Sequence, residues 1–173
     1  MNPSVNKSER TVTIDKNVTC CFTGHRTIPR GMEEYLTGRI MDGIKYLYER
    51  GTKTFLAGGA LGFDTLAAQA VIRSQEMHSD IRLYIIAPCQ DQDKFWTWKD
   101  KDVYAKIKKS ADEVIYLSER YYSGCMHDRN RYLVENSSTC ICYKVKQDGG
   151  TAYTVDYAKS HGLTVFNLAR TKC

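Results

Sequence analysis

The chain has 173 residues, which is the length of one domain rather than two. Its composition, with 42% hydrophobic and 26% charged residues, excludes an intrinsically disordered chain. The formal net charge of +5 favours anionic ligands in general but identifies none of them.

The N-terminal segment 1–17 is polar and has no apolar core of the kind that a secretory signal requires. No apolar run approaches the ~20 residues of a membrane-spanning helix. We therefore expect a cytoplasmic protein that does not contact membranes. Residues 1–17 are predicted to form an N-terminal arm, and residues 18–173 one domain.

Seven cysteines are the unusual feature of the composition. They include no C-x-x-C pair, and the closest spacing, Cys140-Ile141-Cys142, would put both thiols on one face of a strand. A metal site would need further ligands at a recognisable spacing. We therefore expect reduced thiols packed as small hydrophobic residues in a core, and we predict neither a metal nor a cofactor.

Short apolar runs alternate with helical patterns from residue 18 onward. In chain order, strands are predicted over residues 18–22, 53–57, 81–87, 113–117, 139–143 and 163–168. The helices between them are predicted over residues 32–50, 63–77, 102–110, 124–138 and 150–161. This alternation indicates an α/β fold, with right-handed crossovers and helices on both faces of a mainly parallel sheet.

Ligands of such folds bind beyond the carboxyl ends of the strands, and three strand-to-helix turns have suitable residues there. The first turn is Thr23-Gly24-His25-Arg26. Its glycine allows a ligand to approach the backbone, and arginine can donate two parallel hydrogen bonds to a phosphate. The alternative is a plain turn with a solvated arginine.

The second turn has three glycines, Gly58, Gly59 and Gly62, around Ala60, and Asp64 follows in the first helical turn. Backbone N–H groups at a helix N-terminus bind phosphate readily, although neither G-x-G-x-x-G nor the Walker pattern is present. A turn that needs glycine only for tight packing remains the alternative.

The third region combines Arg129 and Asn130, on a predicted helix, with Gly149-Gly150-Thr151 before the next helix. The second part again offers backbone donors, a hydroxyl group and a helix N-terminus. Arg129 has a surface ion pair with Asp128 or Glu135 as its alternative role.

Candidates for catalysis are weaker. Asp64 and His25 are the residues that could act as acid or base, and Arg129 could hold a phosphate. No G-x-S-x-G elbow is present. Trp96 and Trp98, after the third predicted strand, either stack on a base or pack against the protein.

These segments resemble the bacterial YpsA-like family, a domain of unknown function in the SLOG superfamily of Rossmann-like proteins. The resemblance is carried by CCFTGHR at 20–26, AGGALGFDTLAAQAVI at 57–72, the Pro88 and Trp96 region, MHDRNRYLVENS at 126–137 and GGTAYTVDYA at 149–158. It runs in the same order from about residue 18 to residue 168. It implies a single Rossmann-like three-layer domain with a cleft for a nucleotide, a nucleotide-sugar or nucleic acid.

The superfamily includes DprA-type DNA-processing proteins and LOG-type phosphoribohydrolases, and this chain departs from both. Leu61 and Ala68 stand where DprA-like proteins have an arginine and a histidine. Thr154 stands where LOG-type enzymes have the glutamate that supports cleavage of the N-glycosidic bond. The resemblance therefore implies a ligand cleft and leaves the reaction open.

Three functions follow as hypotheses. The first is binding of a nucleotide-derived small molecule, such as an ADP-ribose-like ligand. The second is hydrolysis of a nucleoside 5′-monophosphate at its N-glycosidic bond. The third, single-stranded DNA binding, is not favoured, because the nearby Asp91, Asp93, Asp100 and Asp102 reduce the field of the basic run at Lys106–Lys109. A homo-oligomer is compatible with all three.

Overall fold

The computed structural model of the protein describes residues 11–169. Its strands are β1 (Thr19–Gly24), β2 (Thr54–Ala57), β3 (Arg82–Ala87), β4 (Glu113–Tyr116), β5 (Thr139–Tyr143) and β6 (Thr164–Asn167). Its helices are α1 (Glu33–Tyr48), α2 (Phe63–Gln75), α3 (Trp98–Ser110), α4 (Cys125–Glu135) and α5 (Gly149–Ser160). The predicted alternation of strands and helices is confirmed.

The six strands form one sheet in the order β4-β3-β2-β1-β5-β6, and every pair is parallel. In the register, Cys21 of β1 lies opposite Leu56 of β2 on one side and opposite Cys140 of β5 on the other. This is the Rossmann-like α/β architecture that the sequence predicts.

Helices cover both faces of the sheet and give two hydrophobic clusters. One cluster packs α1 and α2, through residues such as Ile40 and Phe63, against Phe22 and Phe55 of the sheet. The other packs α4 and α5, through residues such as Leu133, against the opposite face. The buried β-strands are nearly continuous in hydrophobic residues, as expected for a parallel sheet covered on both sides.

Helix α3 begins at Trp98, four residues before the predicted start near residue 102. Thr97 caps it: its hydroxyl accepts a hydrogen bond from the N–H of Asp100 at 3.2 Å and donates one to that residue's carboxylate at 2.9 Å. This reciprocal cap stabilises a first turn whose polar sequence hides the helical periodicity.

Only part of the predicted N-terminal arm lies within the described residues. Lys16–Val18 forms a short 3-10 turn, and Ile14 packs against the cluster beneath α4 and α5. The Thr19 hydroxyl donates a hydrogen bond to the Asp15 carbonyl at 2.7 Å. Residues 1–10 lie outside the description, so the arm as a whole stays a prediction.

Within residues 11–169, no helix is long and apolar enough to cross a membrane.

The cysteines pack as the sequence predicts. Within the described part of the chain, six thiols are free and buried: Cys20, Cys21, Cys89, Cys125, Cys140 and Cys142. Cys140 and Cys142 belong to the same cluster, so they share one face of β5. Burial raises the pKa of the Cys89 and Cys142 thiols to about 12, which keeps them protonated and unreactive at neutral pH.

This burial predicts that a Cys173→Ser variant, which retains only the six buried thiols, labels very slowly with a thiol-specific disulfide reagent in its native state. Unfolding in guanidinium should release all six thiols, because the folded sheet is what keeps them from forming thiolates. Rapid labelling of the folded variant, at mildly alkaline pH and with the helical circular dichroism intact, would contradict the packing role.

Candidate functional site

The sheet has one topological switch point. Successive strands are added in one direction from β1 to β4, and the chain then crosses to β5 on the other side of β1. The turns that follow β1 and β5 therefore diverge to opposite faces of the sheet, which opens a crevice at their carboxyl ends. Ligands of doubly wound folds bind in such crevices.

A cavity of about 310 Å³ lies at this switch point, and we call it the main cleft. Eleven of the fourteen residues predicted for the site line it: Thr23, Gly24, His25, Arg26, Ala60, Asp64, Arg129, Asn130, Gly149, Gly150 and Thr151. The structure thus brings together all three of the predicted turns. It also adds Phe22, Met126, His127, Lys146 and Asp148 to the lining.

Arg129 forms the rear wall of the main cleft and is only 4% exposed. Its guanidinium donates hydrogen bonds to the carbonyl of Gly58 and, from Nε, to the side-chain oxygen of Asn130 at 2.9 Å. The surface ion pair considered from the sequence is not formed, since Asp128 pairs instead with Arg131 at 2.7 Å. Burial lowers the pKa of Arg129, and the negative charge of Asp64 opposes that shift.

Asp64 is the second buried ionisable group, with 6% exposure. Its carboxylate accepts a hydrogen bond from the N–H of Ala60 at 3.3 Å. It shares with Arg129 the space in front of Gly58, where an added Cβ would lie 2.8 Å from the Asp64 Oδ2 atom. Burial raises the pKa of Asp64, and the positive charges of Arg129 and Arg26 only partly offset this. Perturbed groups of this kind are typical of functional clefts.

His25 connects the turn after β1 to the turn after β5. Its Nε2 atom accepts hydrogen bonds from the N–H groups of Val145 at 2.9 Å and Lys146 at 3.4 Å. Burial and the neighbouring Lys146 lower the pKa of the imidazole, so the neutral ring that can accept at Nε2 is the favoured form. His25 therefore fixes the geometry of the cleft wall, and a catalytic role for it stays a prediction.

The N-terminus of α5 faces the main cleft. Gly149 begins the helix in a left-handed conformation, with φ = 90°, which only glycine adopts without strain. The first N–H groups of a helix have no partners inside it, and no backbone carbonyl within residues 11–169 accepts a hydrogen bond from those of Gly149, Gly150 or Thr151. These donors and the positive end of the helix dipole form a surface suited to an anion.

Three predicted residues, Gly58, Gly59 and Gly62, do not line the main cleft, and packing explains each of them. Gly58 leaves room for the guanidinium of Arg129, whereas Gly59 faces Tyr104. At Gly62 a Cβ would overlap the backbone carbonyl of Arg26. The N–H of Phe63, next in the chain, donates to the carbonyl of His25 at 3.1 Å. The N-terminus of α2 is therefore closed by protein, unlike that of α5.

The two tryptophans lie away from the main cleft. Trp96 packs on Tyr104 with 5.3 Å between the ring centroids, and Trp98, in the first turn of α3, is exposed. Of the two roles considered from the sequence, Trp96 therefore has the second, which is packing against the protein. The sequence does not single out five of the lining residues: Phe22, Met126, His127, Lys146 and Asp148. Each of them lies within three residues of a predicted site residue, and this proximity is the signal that the sequence offers.

No group of three or more His, Cys, Asp or Glu residues in the described range is arranged to hold a metal ion. The main cleft instead combines three arginine or lysine side chains, two histidines, two carboxylates, three hydroxyl-bearing or amide side chains and the N-terminus of α5. This set recognises polar and anionic groups by charge and hydrogen bonding.

The fold is a Rossmann-like α/β architecture with a cleft at its switch point, and sequence comparison supplies the family. The YpsA family model, whose description is the YspA SLOG family, matches residues 30–167. The chain belongs to this family. The UPF0398 protein BH1768 of Halalkalibacterium halodurans is similar, with 32% identity over 119 residues that cover 67% of this chain and 63% of that protein. The match thus spans less than two thirds of that relative.

Solved structures with a similar fold include DNA processing protein A from two bacteria. The Helicobacter pylori protein, studied for its single-stranded DNA binding mode, has a TM-score of 0.64 and 17% identity, over 91% of this chain and 67% of that one. The Streptococcus pneumoniae protein has a TM-score of 0.63 and 17% identity, over 88% of this chain and 50% of that one. At this identity the likeness concerns the fold.

The close approach at Gly62 predicts that Gly62→Ala is destabilising. The added methyl group would overlap the Arg26 carbonyl at a φ of 76°, so we expect the free energy of unfolding to fall by about 1–3 kcal/mol. Chemical denaturation measures this change.

Gly38→Ala is the matched control, because Gly38 lies inside α1 with open space around it. That variant should gain roughly 0.5–1 kcal/mol from helix propensity. Equal effects of the two substitutions would contradict the packing explanation for Gly62.

Proposed function

We propose that the main cleft binds a phosphate-bearing nucleotide ligand, either a nucleotide or an ADP-ribose-like nucleotide-sugar. The observation that carries this proposal is the buried guanidinium of Arg129, which lines the cleft while no carboxylate within residues 11–169 lies within 4.0 Å of it. A buried cation is costly unless an anion or several hydrogen bonds compensate it. A bound phosphate would complete that compensation.

The N-terminus of α5 supports the same assignment. Gly149, Gly150 and Thr151 line the cleft together with Arg129, so an anion in the cleft would meet helix N–H groups as well as the guanidinium. Arg26 and Lys146 are exposed cations at its margin. Phosphate is the common anion that uses both planar guanidinium donors and helix N-termini.

The remaining polar groups suit the sugar of a nucleotide. Asp64 offers a carboxylate and Thr23 a hydroxyl group at the inner end of the cleft. Asn130 already accepts a hydrogen bond from Arg129, so it orients the guanidinium. We therefore propose that the predicted residues that line the main cleft bind the ligand. The domain that carries them is proposed to span residues 18–173.

Gly150→Asp tests the anion site without disturbing the fold. A Cβ on Gly150 meets nothing within 4 Å, and a carboxylate in the first turn of a helix stabilises it by about 0.3–1 kcal/mol. The same carboxylate would repel a phosphate. We therefore expect this variant to keep or raise its melting temperature and to lose the thermal shift that ADP-ribose or AMP produces in the native protein.

A ligand at about 100 times its Kd should raise the free energy of unfolding by about 2.7 kcal/mol, which differential scanning fluorimetry detects readily. Gly38→Asp introduces the same charge on a remote, exposed part of α1 and should leave the shift intact. If no nucleotide or sugar phosphate shifts the native protein, or if both variants respond equally, the proposal fails.

Hydrolysis of the N-glycosidic bond of a nucleoside 5′-monophosphate is the second candidate, and the buried carboxyl of Asp64 favours it. Its raised pKa is a property of general acids and bases. Thr154, at the position of the glutamate of LOG-type enzymes, is fully buried, and its hydroxyl donates to the Gly150 carbonyl at 2.9 Å. Asp64 would therefore have to supply the acid–base chemistry.

Under this candidate, the native protein releases free base from AMP, and Asp64→Asn lowers the rate by about 10²–10⁴-fold. Asparagine still accepts the hydrogen bond from Ala60, so the melting temperature should change little. Chromatography of the free base measures the reaction. Release no faster than that of a heat-inactivated preparation would leave a binding protein rather than a hydrolase.

Single-stranded DNA ranks below these two ligands as a partner. The similar fold of DNA processing protein A favours DNA as a partner. The basic run of α3 is partly neutralised, however, because Lys106 pairs with Asp102 at 2.9 Å. We expect weak, salt-sensitive binding. A homo-oligomer is compatible with the sequence, and the oligomeric state stays open to measurement.

A further inference from the structure

A second hollow adjoins the main cleft. It has a volume of about 440 Å³ and shares three residues with the main cleft: His25, Arg26 and Lys146. The two cavities therefore adjoin along this group of residues, which includes the cations Arg26 and Lys146.

The boundary between the cavities is held in place by His25. Its imidazole accepts the backbone N–H groups of Val145 and Lys146, and its ring meets the edge of Tyr143 at a centroid distance of 5.8 Å. The turn after β1 and the turn after β5 are thereby tied together. The two exposed cations at the boundary, Arg26 and Lys146, are carried by these tied turns.

The walls of the two cavities differ in chemistry. The second hollow adds Thr27, Pro29, Tyr143 and Val145 to the shared residues, and no carboxylate lines it. The ring of Pro29 and the exposed side chain of Val145, beside the largely buried Tyr143, give this wall an apolar character that suits a nucleobase. The main cleft instead has two carboxylates, from Asp64 and Asp148, which are acceptors for sugar hydroxyl groups.

We propose that the ligand is a nucleoside diphosphate joined to a second sugar, with its base in the second hollow and the second sugar in the main cleft. This inference rests on the proposed function and specifies its ligand class. The two phosphates would lie between the N-terminus of α5 and the boundary cations Arg26 and Lys146. Each phosphate then has its own set of donors, and neither organic end has to share a cavity.

A mononucleotide uses this arrangement less completely. Its base and single phosphate would occupy the second hollow and the boundary, but the carboxylate of Asp64 in the main cleft would have no hydroxyl group to bind. A sugar phosphate would fill only the main cleft. The proposal therefore orders three probes by affinity, with ADP-ribose ahead of both AMP and ribose 5-phosphate.

Isothermal titration calorimetry on the full chain tests this order. We expect ADP-ribose to bind the native protein at least about tenfold more tightly than AMP or ribose 5-phosphate, a difference of about 1.4 kcal/mol. Thr27→Trp fills the second hollow from an exposed position. This variant should bind ADP-ribose and AMP about tenfold more weakly, and its affinity for ribose 5-phosphate should be unchanged.

Met77→Trp is the matched control, because Met77 is an exposed residue beyond the end of α2 and its substitution should change no affinity. Val145→Glu is a second test that places a carboxylate in the same hollow at an exposed residue. It should change the three affinities in the same way as Thr27→Trp. Agreement between the two variants would show that the effect does not come from a folding defect in one of them.

The outcomes separate this inference from the proposed function. The two-cavity assignment is overturned, while nucleotide binding stands, if the native protein binds ADP-ribose no better than AMP or ribose 5-phosphate. The same holds if the variants lose as much affinity for ribose 5-phosphate as for ADP-ribose. If the variants lose affinity for ribose 5-phosphate but not for AMP, the proposed orientation of the ligand is overturned. If none of the three probes binds the native protein, the proposed function itself fails.

Discussion

The buried guanidinium of Arg129 is the constraint on which the site depends. It belongs to α4, donates to the Gly58 carbonyl at the end of β2 and lies in the field of Asp64 in α2. Taking a cation out of water costs several kcal/mol unless its partners compensate that cost. The carbonyl, the Asn130 side chain and the Asp64 charge supply part of the compensation, and together they join three elements from both faces of the sheet. The rear wall of the main cleft is therefore fixed before any ligand arrives.

The fold could be predicted almost completely, because hydrophobic patterning reports on burial and burial dictates the layers. The strands that the sheet buries on both faces, such as β1 and β5, are short apolar runs, and the helices show one apolar stripe each. The start of α3 could not be predicted in the same way. Its first turn has no apolar periodicity and is stabilised by the local cap at Thr97, which is a matter of hydrogen-bond geometry.

The site was only partly predictable, since a glycine-rich turn does not reveal what approaches it. Gly62 directly precedes α2 and Gly149 begins α5, and both have a positive φ. At Gly149 the space beyond is open, whereas at Gly62 it contains the Arg26 carbonyl. Long-range packing between the turns after β1 and β2 makes this difference, and neither turn encodes it alone. The topological rule found the right edge of the sheet, but the direction of each backbone N–H group needed the structure.

Net charge also proves to be a poor guide to the ligand. The chain carries +5 overall, but most of that charge is on exposed side chains that salt screens. Within the main cleft, three cations face two carboxylates, so the side chains leave an excess of only one positive charge, to which the N-terminus of α5 adds about half a charge. A site of this composition suits an anion that also presents hydroxyl groups, because the carboxylates would repel a bare polyanion and bind a sugar. The basic and acidic groups are separated along the crevice, with Arg26 and Lys146 at its margin and Asp64 at its inner end, and recognition of the proposed ligand would depend on this separation.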